Sequence, residues 1–334
     1  MPKWKEIIMN RKLTVSIIQP TLNPNMAESL RDFKAAVDRV MNGYVKPELV
    51  IGVEHGLGRE LDTVPGTITQ FMSALAKKHG IYLIPGTMSE SAPELPEGEF
   101  YNTVPVFAPD GSMIDVYRKK APFKPGEPST PSGDDHYCVF EIKEKGIKIG
   151  VQICYDQFFP EISRTLALMG AEMIVCPALD PMEFDHIPDV IPRARALENE
   201  VFYIWTNGVG STPSATCCGH STIVDPEGKV VYKCGSEPMT YTEILDFEKV
   251  TNKRLYGRDQ HLNCLRKFQI KYPFAGRLDE APVYEGMPEV TYNPAEFIER
   301  VREIGVGSQN TKPGIEEKES LDAEMSNLLA QIKK

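Results

Sequence analysis

The stretch IKIGVQICYDQFFPEISRTLALMGAEMIVC, residues 147–176, decides the fold class. Ile147 to Ile153 reads as an apolar strand, Pro160 to Met169 as a helix opened by proline, and Met173-Ile-Val-Cys as the next strand. A strand, helix and strand in that order belong to an α/β sheet. Cys154 stands directly after the first strand, and the carboxyl ends of strands are where such sheets form their ligand crevices.

The same grammar runs in both directions from this unit. Upstream, Leu13, Val15 and Ile17 alternate as a strand, a helix spans about Met26 to Met41, and Leu49 to Val53 forms the next strand. A second helix over Thr67 to His79 feeds Ile81-Tyr-Leu-Ile84, and a hairpin turns at Asp110-Gly111 between Thr103-Val-Pro-Val-Phe and Ser112-Met-Ile-Asp-Val-Tyr. Downstream, Tyr137 to Ile142 precedes the decisive stretch, a helix over Ile191 to Glu200 leads into Val201-Phe-Tyr-Ile-Trp, and Tyr241 to Leu245 closes the pattern. Two similar α/β halves predict two sheets packed face to face with helices outside, a four-layer αββα sandwich. The predicted core spans residues 1–274. Residues 275–334, with amphipathic stretches at Pro294 to Ile304 and Leu321 to Ile332, read as an arm packing on a neighbouring subunit.

Three reactive side chains follow three strands: Glu54 after Leu49 to Val53, Lys119 after Met113 to Arg118, and Cys154 after Ile147 to Ile153. If they converge, their chemistry is coherent. An ammonium or a helix amino terminus gives a cysteine the thiolate character that attack on a carbonyl carbon needs, and Lys119 and the helix at Pro160 are the candidates. A carboxylate at Glu54 can move the proton between thiol, departing amine and water. The Lys119 ammonium and the Tyr155 N–H can receive the developing oxyanion. Taken alone each residue also has a plain reading, as a solvated carboxylate, a surface charge and a small buried hydrophobe. Lys120 competes for the lysine role.

Five segments in order resemble the carbon–nitrogen hydrolases, the nitrilase superfamily. They are Val53-Glu54, Tyr117-Arg118-Lys119, residues 153–161 around Cys154, Arg193-Ala-Arg-Ala-Leu-Glu-Asn199, and residues 219–228 from Gly219 to Gly228. The resemblance implies the αββα sandwich, assembly into αββα-αββα dimers or larger homo-oligomers, and a Glu-Lys-Cys set at Glu54, Lys119 and Cys154. It also selects Lys119 over Lys120, because the family's lysine follows Tyr-Arg. Cys154-Tyr155-Asp156 followed by Phe-Pro-Glu looks like the amidase side, and the spacing from Lys119 to Glu127 is similar to aliphatic amidases and formamidases. There a second glutamate positions the substrate, here Glu127. The implied reaction is hydrolysis of a small amide through a Cys154 thioester. An N-carbamoyl amide hydrolase, a nitrilase, or a scaffold protein that has lost turnover are the alternatives.

The segment after Met173-Ile-Val-Cys carries no specificity signature. Its acidic side chains Asp180, Glu183 and Asp185 could face a cationic group of the substrate, such as an amine; Asp180, with Tyr155, is the candidate substrate-binding residue. With His186 they could instead hold a divalent ion, but the spacing matches no metal loop and the chemistry asks for none. Cys217-Cys218-Gly219-His220 cannot build a four-ligand zinc site locally and reads as pocket lining. No phosphate-binding glycine fingerprint occurs, so no cofactor is expected. The balance of 37 Lys+Arg against 47 Asp+Glu, a formal charge of −10, argues against nucleic acid. The absence of a long apolar stretch or leader, together with seven scattered cysteines, predicts a cytoplasmic protein with reduced thiols and no membrane span.

Overall fold

The structure is a computed structural model that describes residues 10–124, 126–211, 216–268 and 330. The first half runs β1 (Lys12–Gln19), α1 (Met26–Met41), β2 (Leu49–Val53), β3 (Leu61–Asp62), α2 (Thr67–His79), β4 (Tyr82–Gly86), β5 (Met88–Glu90), β6 (Tyr101–Phe107) and β7 (Met113–Arg118). The second runs β8 (Val139–Ile142), β9 (Ile147–Val151), a 3-10 turn (Cys154–Phe158), α3 (Pro160–Leu168), β10 (Met173–Pro177), a 3-10 turn (Met182–Phe184) and α4 (Ile187–Asn199). It continues through β11 (Phe202–Thr206), β12 (Val209–Ser211), β13 (Thr216–Cys218), β14 (Thr222–Val224), β15 (Val230–Lys233), β16 (Met239–Asp246), α5 (Glu248–Tyr256) and α6 (His261–Phe268).

One sheet has the order β16-β1-β2-β4-β6-β5-β3 with β7 paired to β6, and the other has β15-β14-β11-β10-β9-β8. Side-chain alternation assigns their faces. Leu13, Val15 and Ile17 of β1 and Leu49 and Ile51 of β2 point into one buried cluster with Ile149, Val151 and Val175 of the second sheet. The intervening Ile18, Val50 and Leu83 point the other way, into a cluster with Phe33, Val37, Phe71 and Leu75 of α1 and α2. Burying each such side chain contributes about 1.5–3 kcal/mol relative to exposure. Helices α3 and α4 contact β10 and β11 on the outer face of the second sheet. The layers are therefore α, β, β, α, as the sequence predicts.

Four local expectations are corrected. The strand before Cys154 ends at Val151: the Gln152 N–H still donates to the Val175 carbonyl, but the next one, Ile153 N–H, turns to Asp156 Oδ2, which takes the chain out of the ladder. The strand predicted from Tyr137 begins at Val139, where pairing with Gly150 starts. Helix α4 begins at Ile187 and not at Ile191: Pro192 lies inside its early turns, after the Pro188 that opens it. The halves are not separate sheets, since β16 of the second half returns to pair antiparallel with β1 of the first, from Lys12 opposite Asp246 to Gln19 opposite Met239. The boundary at residue 274 and the stretch Pro294 to Ile304 lie outside the described residues, as does Leu321 to Ile332 save for Ala330. No helix of the described residues is long and apolar enough to cross a membrane.

Candidate active site

The sheets meet where their parallel strands end, and hydrogen bonds tie them there. The Glu54 N–H donates to the Ala178 carbonyl at 3.3 Å, and the Thr206 hydroxyl donates to the Gly52 carbonyl at 2.6 Å. Glu54 therefore follows β2 directly against the exit of β10. Lys119 follows β7, and its N–H donates to the Asn102 carbonyl on the neighbouring β6. Cys154 opens its 3-10 turn at φ 43°, a left-handed conformation that a non-glycine residue adopts only when its surroundings hold it. Asp156 provides that hold: its carboxylate accepts from the Ile153 and Ala121 N–H groups and the Tyr117 hydroxyl, all at 2.7–2.9 Å. From behind, buried Arg195 of α4 donates to the Gln157 carbonyl at 2.8 Å.

These elements surround a cavity of about 210 Å³, lined by Glu54, Lys119, Glu127, Cys154, Tyr155 and Asp180 among others. All six sequence-derived candidates are thus brought together. The Lys119 ammonium donates to Glu54 Oε1 at 2.8 Å and to Glu127 Oε2 at 2.6 Å. Burial works against that charge, but Glu127 and Glu54 outweigh it and raise the Lys119 pKa well above its ordinary value. Lys119 is only 1% exposed. Lys120, by contrast, reaches the Asp134 carbonyl and lies over the Tyr137 ring.

Asn102 completes the arrangement. Its side-chain amide donates to Glu54 Oε1 and to Glu127 Oε1, each at 2.8 Å. Sequence reasoning missed it because an asparagine inside a strand carries no local signal. The available clue is register: Thr103 pairs with Arg118, so Asn102 lies beside Lys119. Glu127 is held from its own loop too, accepting the Phe123 N–H on Oε2 at 2.6 Å. Glu54, His55 and Glu127 present possible metal-ligand atoms within 4.8 Å of one another, yet the charge already placed between the two carboxylates is the Lys119 ammonium.

The expected thiolate is not the resting state. Burial, then the charges of Glu54 and Asp180, push the Cys154 thiol well up, and the opposing pull of Lys119 does not overcome them. Nor does the amino terminus of α3 serve the sulfur, since α3 begins at Pro160, beyond the turn that Cys154 opens. Attack therefore requires a base at the moment of reaction. The acidic segment also divides: Asp180 is buried and lines the cavity, whereas Glu183 and Asp185 are exposed. Cys217 and Cys218 lie behind Asp180 and outside the cavity lining, with the Cys218 N–H donating to the Asp180 carbonyl. Tyr155 contributes its ring, 5.1 Å from that of Phe123 and 5.3 Å from that of Phe158.

A model of the carbon-nitrogen hydrolase family matches residues 2–254. Omega-amidase NIT2-B of Xenopus laevis is 32% identical over 252 residues, 71% of this chain and 88% of that protein. Among solved structures, Nit3 of Saccharomyces cerevisiae, described as a member of branch 10 of the nitrilase superfamily, aligns at a TM-score of 0.67 and 27% identity over 75% of this chain and 95% of its own. An amidase from Nesterenkonia sp. shares the fold, with a TM-score of 0.63 at 21% identity over 80% of this chain and all of its own.

Proposed function

We infer the function from one premise: the chain belongs to the carbon–nitrogen hydrolase family and hydrolyses carbon–nitrogen bonds other than peptide bonds. From that premise we propose that it is a thiol amidohydrolase of small amides in which Cys154 is the nucleophile, Glu54 the proton carrier, Lys119 the oxyanion partner and Glu127 the positioning carboxylate. The observation that carries this reading is the single buried cavity onto which Cys154, the Lys119 ammonium and both glutamates open.

In the first half-reaction the Cys154 S–H passes its proton to Glu54 as sulfur bonds to the carbonyl carbon. The carbonyl electron pair moves to oxygen beside the Lys119 ammonium. Collapse breaks the C–N bond, and the departing nitrogen takes the proton from Glu54, leaving a thioester. Water then gives a proton to Glu54 while its oxygen attacks the acyl carbon; the C–S bond breaks, the acid leaves, and the departing sulfur takes the proton back from Glu54, which restores both thiol and carboxylate. Glu54 thus acts as base, acid, base and acid in turn, which suits a thiol that rests protonated. Each hydrogen-bond donor to an oxyanion contributes about 3 kcal/mol, or roughly a hundredfold in rate. The omega-amidase names of the similar curated proteins favour an amide over a nitrile substrate.

Homo-oligomerisation is part of the same proposal. Helices α3 and α4 contact each other on the outer layer, and the exposed apolar side chains there, Leu168 and Val190, together with Met169 just after α3, are ones a second copy would cover. The test of function is ammonia release from short aliphatic amides by the protein and by Cys154→Ala. Release that needs Cys154 supports the reading, and release that survives its removal refutes it.

A further inference from the structure

Asp180 is the cavity carboxylate that the reaction above leaves unused, and its place is fixed from both sides. Its N–H donates to Asn207 Oδ1 and its carbonyl accepts from Asn207 Nδ2, each at 3.0 Å, while the Cys218 N–H donates to the same carbonyl at 3.3 Å. The side chain is thereby aimed at the nucleophile, with Oδ1 3.6 Å from Cys154 Sγ. Its other oxygen, Oδ2, is buried without a hydrogen-bond partner among the described residues, on a residue only 6% exposed.

Such a carboxylate is costly twice. An unsatisfied buried polar atom loses its hydration, and a negative charge beside a sulfur opposes formation of the thiolate. Both costs are removed when a positively charged donor sits on Oδ2. The surroundings suit such a donor: the rings of Tyr155, Phe158, Phe123 and Phe184 line the same cavity, and aromatic faces attract cations. The ionisable groups around Asp180 also leave a negative balance. Glu54, Glu127 and Asp180 face Lys119 and Arg59, with Lys119 already engaged by the two glutamates. His55, the remaining titratable neighbour on that wall, is held neutral chiefly by burial.

We propose that the substrate is an amide carrying a protonated amine, and that Asp180 binds that ammonium with the aromatic wall at its flank. The closeness of Oδ1 to Cys154 Sγ sets the amine on the first or second carbon from the scissile carbonyl. Binding then cancels the charge that opposes the thiolate, so that the correct substrate readies its own nucleophile. This inference rests on the amidase reading, and its test separates the two.

The probes are butanamide, its near-isostere 3-aminopropanamide, and succinamate. Cys154-dependent ammonia release from any of them tests the amidase reading. The charge preference is read separately, by calorimetric binding to Cys154→Ala, which needs no turnover. The expected result is binding of 3-aminopropanamide at least tenfold tighter than butanamide, a preference that collapses in the Cys154→Ala, Asp180→Asn double variant. Equal binding, tighter binding of succinamate, or a preference that survives Asp180→Asn overturns the proposal. Tighter binding of succinamate would assign recognition to Arg59. Should the double variant fail to melt cooperatively, the order of the three amides on Cys154→Ala still decides.

Discussion

Asn102 determines how two buried glutamates share one lysine. With its amide bonded to both Oε1 atoms, each carboxylate keeps its other interactions aimed at Lys119 Nζ or the Phe123 N–H. Hydrogen bonds to buried charges are worth about 1.5–3 kcal/mol, so Asn102→Ala should lower kcat/KM for amide hydrolysis by roughly ten- to a hundredfold while the protein still folds. Steady-state ammonia release and a melting curve check this. Asp180 gives a prediction in pH. Burial, reinforced by Glu54, raises its carboxyl from 3.8 to about 7. Between pH 3.8 and about 7 the folded protein therefore holds a proton that the unfolded chain has lost, and stability falls as pH rises through that window until Asp180 ionises in the fold. Asp180→Asn should match the native protein near pH 4 and exceed it in stability by pH 8, as measured by denaturant unfolding across that range. The catalytic candidates Glu54, Lys119 and Cys154 were legible because each follows a strand, a position any α/β reading marks. Asn102 was not, since its role exists only through pairing of β6 with β7.

At the scale of elements, the close approach of β2 and β4 sets the height of Glu54. Gly86, at φ 100°, closes β4 so tightly on β2 that a Cβ there would lie 2.0 Å from the Val53 carbonyl oxygen. Gly86→Ala should cost about 1–3 kcal/mol in backbone strain and displace the residue after Val53, which is Glu54. Lower denaturant midpoints together with a larger drop in kcat than in binding would bear this out. Strand and helix identities were legible from periodicity wherever a run was long, as at α1 and α2, whose bounds Met26–Met41 and Thr67–His79 agree with the pattern. They failed where a side chain overrides the pattern. Asp156 draws the Ile153 N–H from the ladder before Cys154, and Pro188 shifts the start of α4. The thiolate expectation failed for a related reason: charge signs are visible in a sequence, but the burial that outweighs Lys119 is not.

In the whole molecule, β16 closes the architecture by pairing with β1 along its full length, so the core requires the chain at least through Asp246. We propose that residues 1–274 suffice and that residues 275–334 serve assembly. A chain ending at residue 274 should then keep a cooperative melt and Cys154-dependent turnover while light scattering reports a smaller assembly; an unfolded product would place part of the extension in the core. The layered fold was legible because two halves repeat one grammar, whereas the crossing of β16 was not, because nothing local to Met239 to Asp246 names its partner. The Cys154 thioester is tested most directly by the intact mass of the protein quenched in acid during turnover of an amide. The thioester predicts a mass increment equal to the acyl group, mapped to the peptide holding Cys154 and absent from Cys154→Ala. Turnover with an increment on another residue, or continued turnover by Cys154→Ala, would contradict it.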